Sequence, residues 1–304
     1  IEDTKKILFF RYDRIGDMIM TTPVFRELKQ NYPDIKITVI ASKSNYEVLQ
    51  NNPHVDNIIV NNKNNFICDL PSLLKLRKQK FDVCVEFDHS VVPHAILRLR
   101  IIKAKINISI KKEGRYGVSG DDLTLYDIYT KKQDKMHFRD IWLGILDPFK
   151  IRPQSTKYDL FIPEKLNNVA KRFLYQYSSN YLIGINLKGA VEGKQIRFSE
   201  LNQICKKLND YDANIRIFVL TSPQNFEDVS KRVKKMELSF VELSYKTDSI
   251  LDVSALISHL DLIITPDTSI AHVASVYNKP VITIHENNQN SYQLFKPTSS
   301  LNRT

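Results

Sequence analysis

The chain has 304 residues, 42% of them hydrophobic and 26% charged, which is room for two soluble domains of ordinary size, each with its own core. Its longest apolar runs are strand-sized, far short of the roughly 20 residues of a membrane span, and Lys5 and Lys6 precede only a short apolar run rather than a signal-peptide pattern. A net charge of +10 suits a partner bearing phosphates or carboxylates, but the basic residues are dispersed and carry neither an RNA-binding aromatic signature nor zinc-finger spacing, which argues against nucleic acid.

Short β-branched apolar runs predict strands at 6–11, 36–41, 57–60, 81–87 and 105–110, with helices near 17–31, 44–51, 69–79 and 91–102 between them. Residues 111–135, with Gly114, Gly117, Gly120 and many charges, read as a loop. A helical segment at 137–145 holds the single tryptophan, Trp142. Pro148, Pro153 and Pro163 then punctuate 147–164, which places a domain boundary there and divides the chain into 1–155 and 156–304. Strands resume at 181–187, 215–221, 240–243, 262–265 and 281–285, with helices near 198–209, 224–236, 250–259 and 269–277. Alternation of this kind means parallel sheets with right-handed crossovers, so the fold class is α/β with two Rossmann-like domains. Ligands are expected in a cleft at the carboxyl ends of the strands. Cys68, Cys84 and Cys205 are odd in number and widely spaced, which argues for a reducing compartment and against a disulfide frame or zinc site.

Three loops at predicted strand ends carry chemistry. In FFRYDRIGDMIMTTP, residues 9–23, Gly16 permits a tight turn and Asp17 falls at the positive end of a helix dipole, where its charged form is favoured. A plain helix cap and a catalytic acid both fit Asp17, and Asp13 competes for the second role. There is no GxGxxG and no P-loop lysine motif, which excludes the common dinucleotide and Walker sites. In NLKGAVEGKQIRFSEL, residues 186–201, a loop with Gly189, Gly193, Lys188, Lys194 and Arg197 suits either a phosphate or bulk solvent. In IITPDTSIAHVASVYNKP, residues 263–280, Asp267-Thr268-Ser269 offers hydroxyls and free N–H groups at a helix start, and His272 follows one turn later. An anion site and a capped helix with a half-buried histidine both fit these residues.

Taken in order, the three loops resemble glycosyltransferase family 9, the ADP-heptose:lipopolysaccharide heptosyltransferases. Arg11, Gly16-Asp17 and Thr22-Pro23 match its opening motif, Arg197-Phe198 its mid-chain pair with Phe for Trp, and Asp267 through His272 with Lys279-Pro280 its closing motif. The resemblance spans nearly the whole chain and implies a GT-B fold, two Rossmann-like domains facing across a cleft, the first binding acceptor and the second the nucleotide sugar. It implies inverting transfer of heptose from ADP-heptose to an inner-core sugar of lipopolysaccharide or lipooligosaccharide, at the cytoplasmic surface of the inner membrane. Asp17 would be the general base, and Lys188, Asp267, Thr268, Ser269 and His272 would hold the donor. Lys194 or Arg197 would offset charge on departing ADP, with no metal and no cofactor beyond the donor. Arg98, Arg100, Lys103 and Lys105 are candidates for the acceptor- or membrane-facing surface.

Two departures stand out. Ser269 replaces the motif glycine, and 286–290, Glu-Asn-Asn-Gln-Asn, replaces a glycine-proline loop. The chain also stops sooner after Phe295-Lys296-Pro297 than the family pattern leads one to expect. The alternatives are heptose transfer to a protein or another glycan, and a non-catalytic nucleotide-binding protein of the same fold.

Overall fold

The computed structural model describes residues 1–304 apart from 2, 62–65, 132–135, 190–194 and 286–288, and apart from the side chains of 66–68 and 289–291. Contacts divide the chain into two units, residues 1–159 with 293–295, and residues 160–292 with 296–304.

The first unit contains β1 (Lys6–Arg11), α1 (Ile15–Asn31), β2 (Lys36–Ala41), β3 (Asn57–Val60), α2 (Phe66–Lys78), β4 (Val83–Glu86), α3 (Pro93–Ile102), β5 (Ile106–Ile110), β6 (Ile128–Thr130) and α4 (Phe138–Leu143). Its sheet has the order β3-β2-β1-β4-β5-β6, with every pairing parallel. A parallel sheet must be covered on both faces, so its strands are apolar throughout rather than alternating. Ile7 to Phe10 of β1 are all buried. Leu8 and Phe10 join Leu73 and Leu76 of α2 and Leu99 and Ile102 of α3 in one core. Phe9 points the other way, packing edge-on against Phe25 of α1 and stacking on Phe87. The unit runs past Pro153 because α1 holds the strap that follows. Arg26 donates to the carbonyls of Ser155 and Lys157 and pairs with Asp159, while Glu27 accepts from the N–H groups of Gln154 and Ser155.

The second unit contains α5 (Glu164–Leu174), β7 (Tyr181–Asn186), α6 (Phe198–Tyr211), β8 (Ile215–Leu220), α7 (Phe226–Lys234), β9 (Val241–Leu243), α8 (Ile250–Ile257), β10 (Leu262–Pro266), α9 (Ser269–Val276), β11 (Val281–Ile284), α10 (Gln289–Phe295), whose last residues count with the first unit, and β12 (Asn302–Arg303). Its sheet, β12-β11-β10-β7-β8-β9, is also fully parallel. Both sheets have one topology: the chain leaves the central strand toward one edge, then returns to build the other half. The strand order therefore reverses once in each sheet, between β1 and β4 and between β7 and β10. A reversal parts the crossover connections and leaves a crevice at the strands' carboxyl ends.

Several elements differ from the sequence reading: the helix expected near 44–51 is a single 3-10 turn, Tyr46–Leu49, and the strand expected at 81–87 is shortened to Val83–Glu86. The supposed loop at 111–135 contains β6, a three-residue edge strand too short to show a period. Helix α5 follows directly on Pro163, which starts it as its N-cap. Among the described residues no helix is long and apolar enough to cross a membrane.

Candidate active site

Helix α1 presents its first turn at the reversal between β1 and β4. Asp17, its third residue, accepts the backbone N–H of the N-cap residue Arg14 at 3.3 Å, so this side chain does help cap the helix, from inside its first turn. Pro23 sits inside the helix and cannot donate to the carbonyl of Ile19, four residues back. The hydroxyl of Thr22 donates to that carbonyl instead, at 2.7 Å, and accepts the N–H of Asp159 at 2.8 Å. The Thr-Pro pair therefore keeps α1 whole and ties it to the strap.

Arg11, at the end of β1, organises the pocket above it. The side chain is 2% exposed; its guanidinium lies 3.9 Å from the Trp142 ring centroid and 5.6 Å from that of Phe87. Nη1 donates to Asp13 at 3.1 Å, and Nη2 faces Asp17 at 3.8 Å. Nε and Nη2 make no hydrogen bond to a described residue. Asn45 fixes the loop, donating to the carbonyls of Arg11 and Asp13 and accepting the N–H of Ser42. From the other side of the reversal, at the end of β4, come Glu86 and Asp88. Glu86 is buried among Lys112, the Tyr126 hydroxyl at 2.7 Å and the Asp88 N–H at 3.2 Å.

These groups line a pocket of about 410 Å³ whose walls include Arg11, Asp13, Asp17, Asp88, His94 and Trp142. Burial pushes the Asp17 carboxyl above its ordinary value, the Arg11 cation opposes this, and the Asp13 charge adds to it. Burial raises Asp88 well above the usual range, and hydrogen bonds and charge from Glu86 and Asp13 raise it further. Asp13, Asp17 and Asp88 thus share one space. Asp17, with 19% of its side chain exposed, is the one pressed toward a proton by burial yet kept ionisable by a cation. A carboxylate in that setting can take a proton from a hydroxyl in the pocket.

The second unit has the matching arrangement between β7 and β10. Asn186, the last residue of β7, donates to the hydroxyls of Thr265 at 3.0 Å and Thr268 at 3.3 Å, and to the Lys188 carbonyl at 3.0 Å. It thereby ties the basic loop to the start of α9. Thr268 is the N-cap, accepting the Ile270 N–H at 3.2 Å. Asp267 approaches His285 at 4.0 Å, and His272 is buried in α9. Ser269 opens α9 without a positive φ, so its backbone does not require the glycine of the family pattern. Lys188 is exposed and donates to Asn225 at 2.8 Å; Arg197 is exposed as the N-cap of α6. Both border a recess of about 310 Å³ in which Arg232 stacks on Phe198 at 3.9 Å. Lys194 lies outside the described residues.

The structure therefore gathers Asp13 and Asp17 in one pocket, and Lys188 with Thr268 at one reversal. It corrects the reading of Arg98 as a surface residue. Arg98 is fully buried, paired with Asp69 of α2 and donating to the His94 carbonyl. A cation on the inner face of an amphipathic helix survives only with such partners. Arg100, Lys103 and Lys105 are exposed, with Lys105 bonded to Asp82 at 2.7 Å. Glu86, Asp88, Lys112 and Asn45 were not singled out from the sequence. A lone acid inside the apolar strand 83–86 was the available signal, since a buried carboxylate demands a partner.

The sequence profile of glycosyltransferase family 9 (heptosyltransferase) matches residues 73–300. The lipopolysaccharide core heptosyltransferase OpsX of Haemophilus influenzae is 23% identical over 93% of this chain and 80% of its own. A glycosyl transferase family 9 structure from Veillonella parvula superposes with a TM-score of 0.81 at 19% identity, over 98% of this chain and 86% of that one. The Escherichia coli ADP-heptose lps heptosyltransferase II gives a TM-score of 0.75 at 19% identity, over 98% and 89%. Two parallel six-stranded sheets of this topology are the GT-B fold of those enzymes, and with a family match covering most of its length the chain belongs to glycosyltransferase family 9, the heptosyltransferases.

Proposed function

We propose that the protein is an inverting heptosyltransferase that moves a heptose from ADP-heptose to an inner-core sugar of a lipopolysaccharide acceptor. The observation that carries this is Asp17, a base-competent carboxylate beside Arg11 in a roomy pocket at the first sheet's reversal. The names of the relatives, which specify ADP-heptose and lipopolysaccharide, supply the donor and the acceptor class. The first unit takes the acceptor. Asp17 removes the proton of the attacking hydroxyl, whose oxygen bonds to the anomeric carbon on the face opposite ADP. The bond from that carbon to the phosphate oxygen breaks, and ADP leaves with the electron pair.

The second unit takes the donor. The N–H groups and hydroxyls at the start of α9 receive the pyrophosphate, with Lys188 and His272 beside them. Lys194 or Arg197 offsets the charge that develops on ADP, so these fixed charges do the work a divalent metal does elsewhere. An anionic acceptor agrees with the net charge of +10, and we assign the enzyme to the cytoplasmic surface of the inner membrane, where such an acceptor would lie. The test is to incubate the protein with ADP-heptose and a lipid A–Kdo acceptor and follow ADP release together with the mass of the glycolipid. Coupled ADP release and gain of one heptose is the expected result. ADP binding without turnover would favour the non-catalytic reading.

A further inference from the structure

The outer surface of α2 and α3 has no role in the chemistry above. The two helices pack side by side and are joined by the buried pair Asp69–Arg98. Beside each partner, facing outward, stands a leucine: Leu70, 37% exposed, and Leu97, 49% exposed. Leu74, one turn further along α2, is 47% exposed. Single exposed leucines are ordinary, but three on adjoining turns of two joined helices are not scattered. Beyond them both helices end in exposed cations, Lys75, Arg77 and Lys78 on α2 and Arg100 and Lys103 on α3. Residues 70–80 and 93–105 contain no Asp or Glu at all. Leu97 also lies one helical turn from His94, which lines the Asp17 pocket, so the apolar strip begins at the pocket's wall.

We propose that this face docks the protein on an anionic phospholipid bilayer. The three leucines enter the boundary between headgroups and acyl chains, and the cations at the helix ends meet lipid phosphates. Apolar insertion plus attraction to acidic headgroups is how interfacial helices bind, and the two contributions add. Docking in this orientation brings the Asp17 pocket to the membrane surface, where a lipid-anchored acceptor would lie. That consequence rests on the acceptor proposed above; the docking itself does not.

Sedimentation with phosphatidylcholine vesicles, with and without phosphatidylglycerol, tests it. The wild type should bind the anionic vesicles at low salt and the neutral ones weakly. Leu74→Ser with Leu97→Ser should abolish binding at any salt. Lys75→Gln, Arg77→Gln and Lys78→Gln together should weaken it by about a hundredfold, at about fivefold per cation, and reduce its salt dependence to what Arg100 and Lys103 supply. Thermal melts should match the wild type, since all five side chains are exposed. Failure of the wild type to bind anionic vesicles, or variants that bind as well as it does, would overturn the proposal. So would light scattering that shows a dimer which the leucine changes dissolve, because the strip would then belong to a second copy. ADP release with a truncated, water-soluble acceptor should be unaffected by these variants. Absent turnover with intact vesicle binding would refute the enzymatic reading and leave the docking surface standing.

Discussion

Arg11→Met removes the cation facing Asp17 while leaving a linear apolar side chain against Trp142 and Phe87. Unit charges at the observed 3.8 Å attract by about 4 kcal/mol at an effective dielectric constant of about 20. That is a ceiling, because Asp17 keeps contact with solvent and Asp13, at 3.1 Å, shares the same guanidinium. A net bias of about 1–2 kcal/mol toward the Asp17 carboxylate remains, which is about tenfold in its ionised fraction wherever it is partly protonated. Burial already pushes Asp17 up, and without Arg11 it acts unopposed while the Asp13 charge is no longer offset. Asp17 should therefore hold its proton to higher pH. The assay is kcat/KM for ADP release across the acid limb and the plateau, beside a thermal melt to follow folding. The acid limb should move to higher pH, with rates on it about tenfold lower, and the plateau above it should be retained. A uniform loss at every pH, or an unmoved acid limb, would refute the reasoning.

Burial, Glu86 and Asp13 all oppose charge on Asp88 and raise its carboxyl well above the usual range. Its folded value lies above its unfolded one, so its contribution to stability is greatest at low pH and declines as pH rises from about 4 upward. Asp88→Asn should consequently gain in melting temperature relative to the wild type as pH rises, and a difference flat with pH would show that Asp88 is ionised in the fold. Asp69→Ala leaves the buried Arg98 without its carboxylate and should cost about 3–5 kcal/mol in urea unfolding, most of it recovered when Arg98→Met is added to Asp69→Leu. If the double variant is as unstable as the single one, packing rather than charge explains the loss. Turnover should persist in EDTA, since fixed cations are assigned the leaving group; loss that magnesium or manganese restores would contradict that assignment.

Much of the architecture was legible because each strand of a doubly covered parallel sheet is a short apolar run between charges. β1, β2 and β3 begin and end where those runs do. At three residues each, β6 and β9 are too short to show a period, which is why β6 read as loop and β9 is shorter than the strand expected at 240–243. Helix α5 carries Leu166, Ala170, Phe173 and Leu174 at helical spacing, but the sequence reading assigned no element between the proline-bearing stretch at 147–164 and the strand at 181. Charge pairing was not legible. Arg98 meets Asp69 and Lys112 meets Glu86 across 29 and 26 residues, and only the crossovers bring them together. The same holds for Asn45, which fixes a loop 32 residues before it. Local sequence shows which residues are able to do chemistry; which of them share a pocket is decided by the strand order.

The central claim is that Asp17 is the base, and Asp17→Asn measures it. Asn can still accept the Arg14 N–H through its Oδ1 and gives up only the dipole's preference for a charge, about 0.3–1 kcal/mol, so the fold and the capping of α1 should survive. The proton acceptor is lost together with the charge facing Arg11, which keeps its closer partner Asp13 at 3.1 Å. Steady-state turnover of ADP-heptose with its acceptor should fall by about a hundredfold or more, while ADP affinity by calorimetry should be unchanged, the donor being assigned to the other unit. Near-normal turnover in Asp17→Asn would contradict the account: with Asp13→Asn inactive it would move the base to Asp13, and with both active it would leave the reaction without a base among these acids.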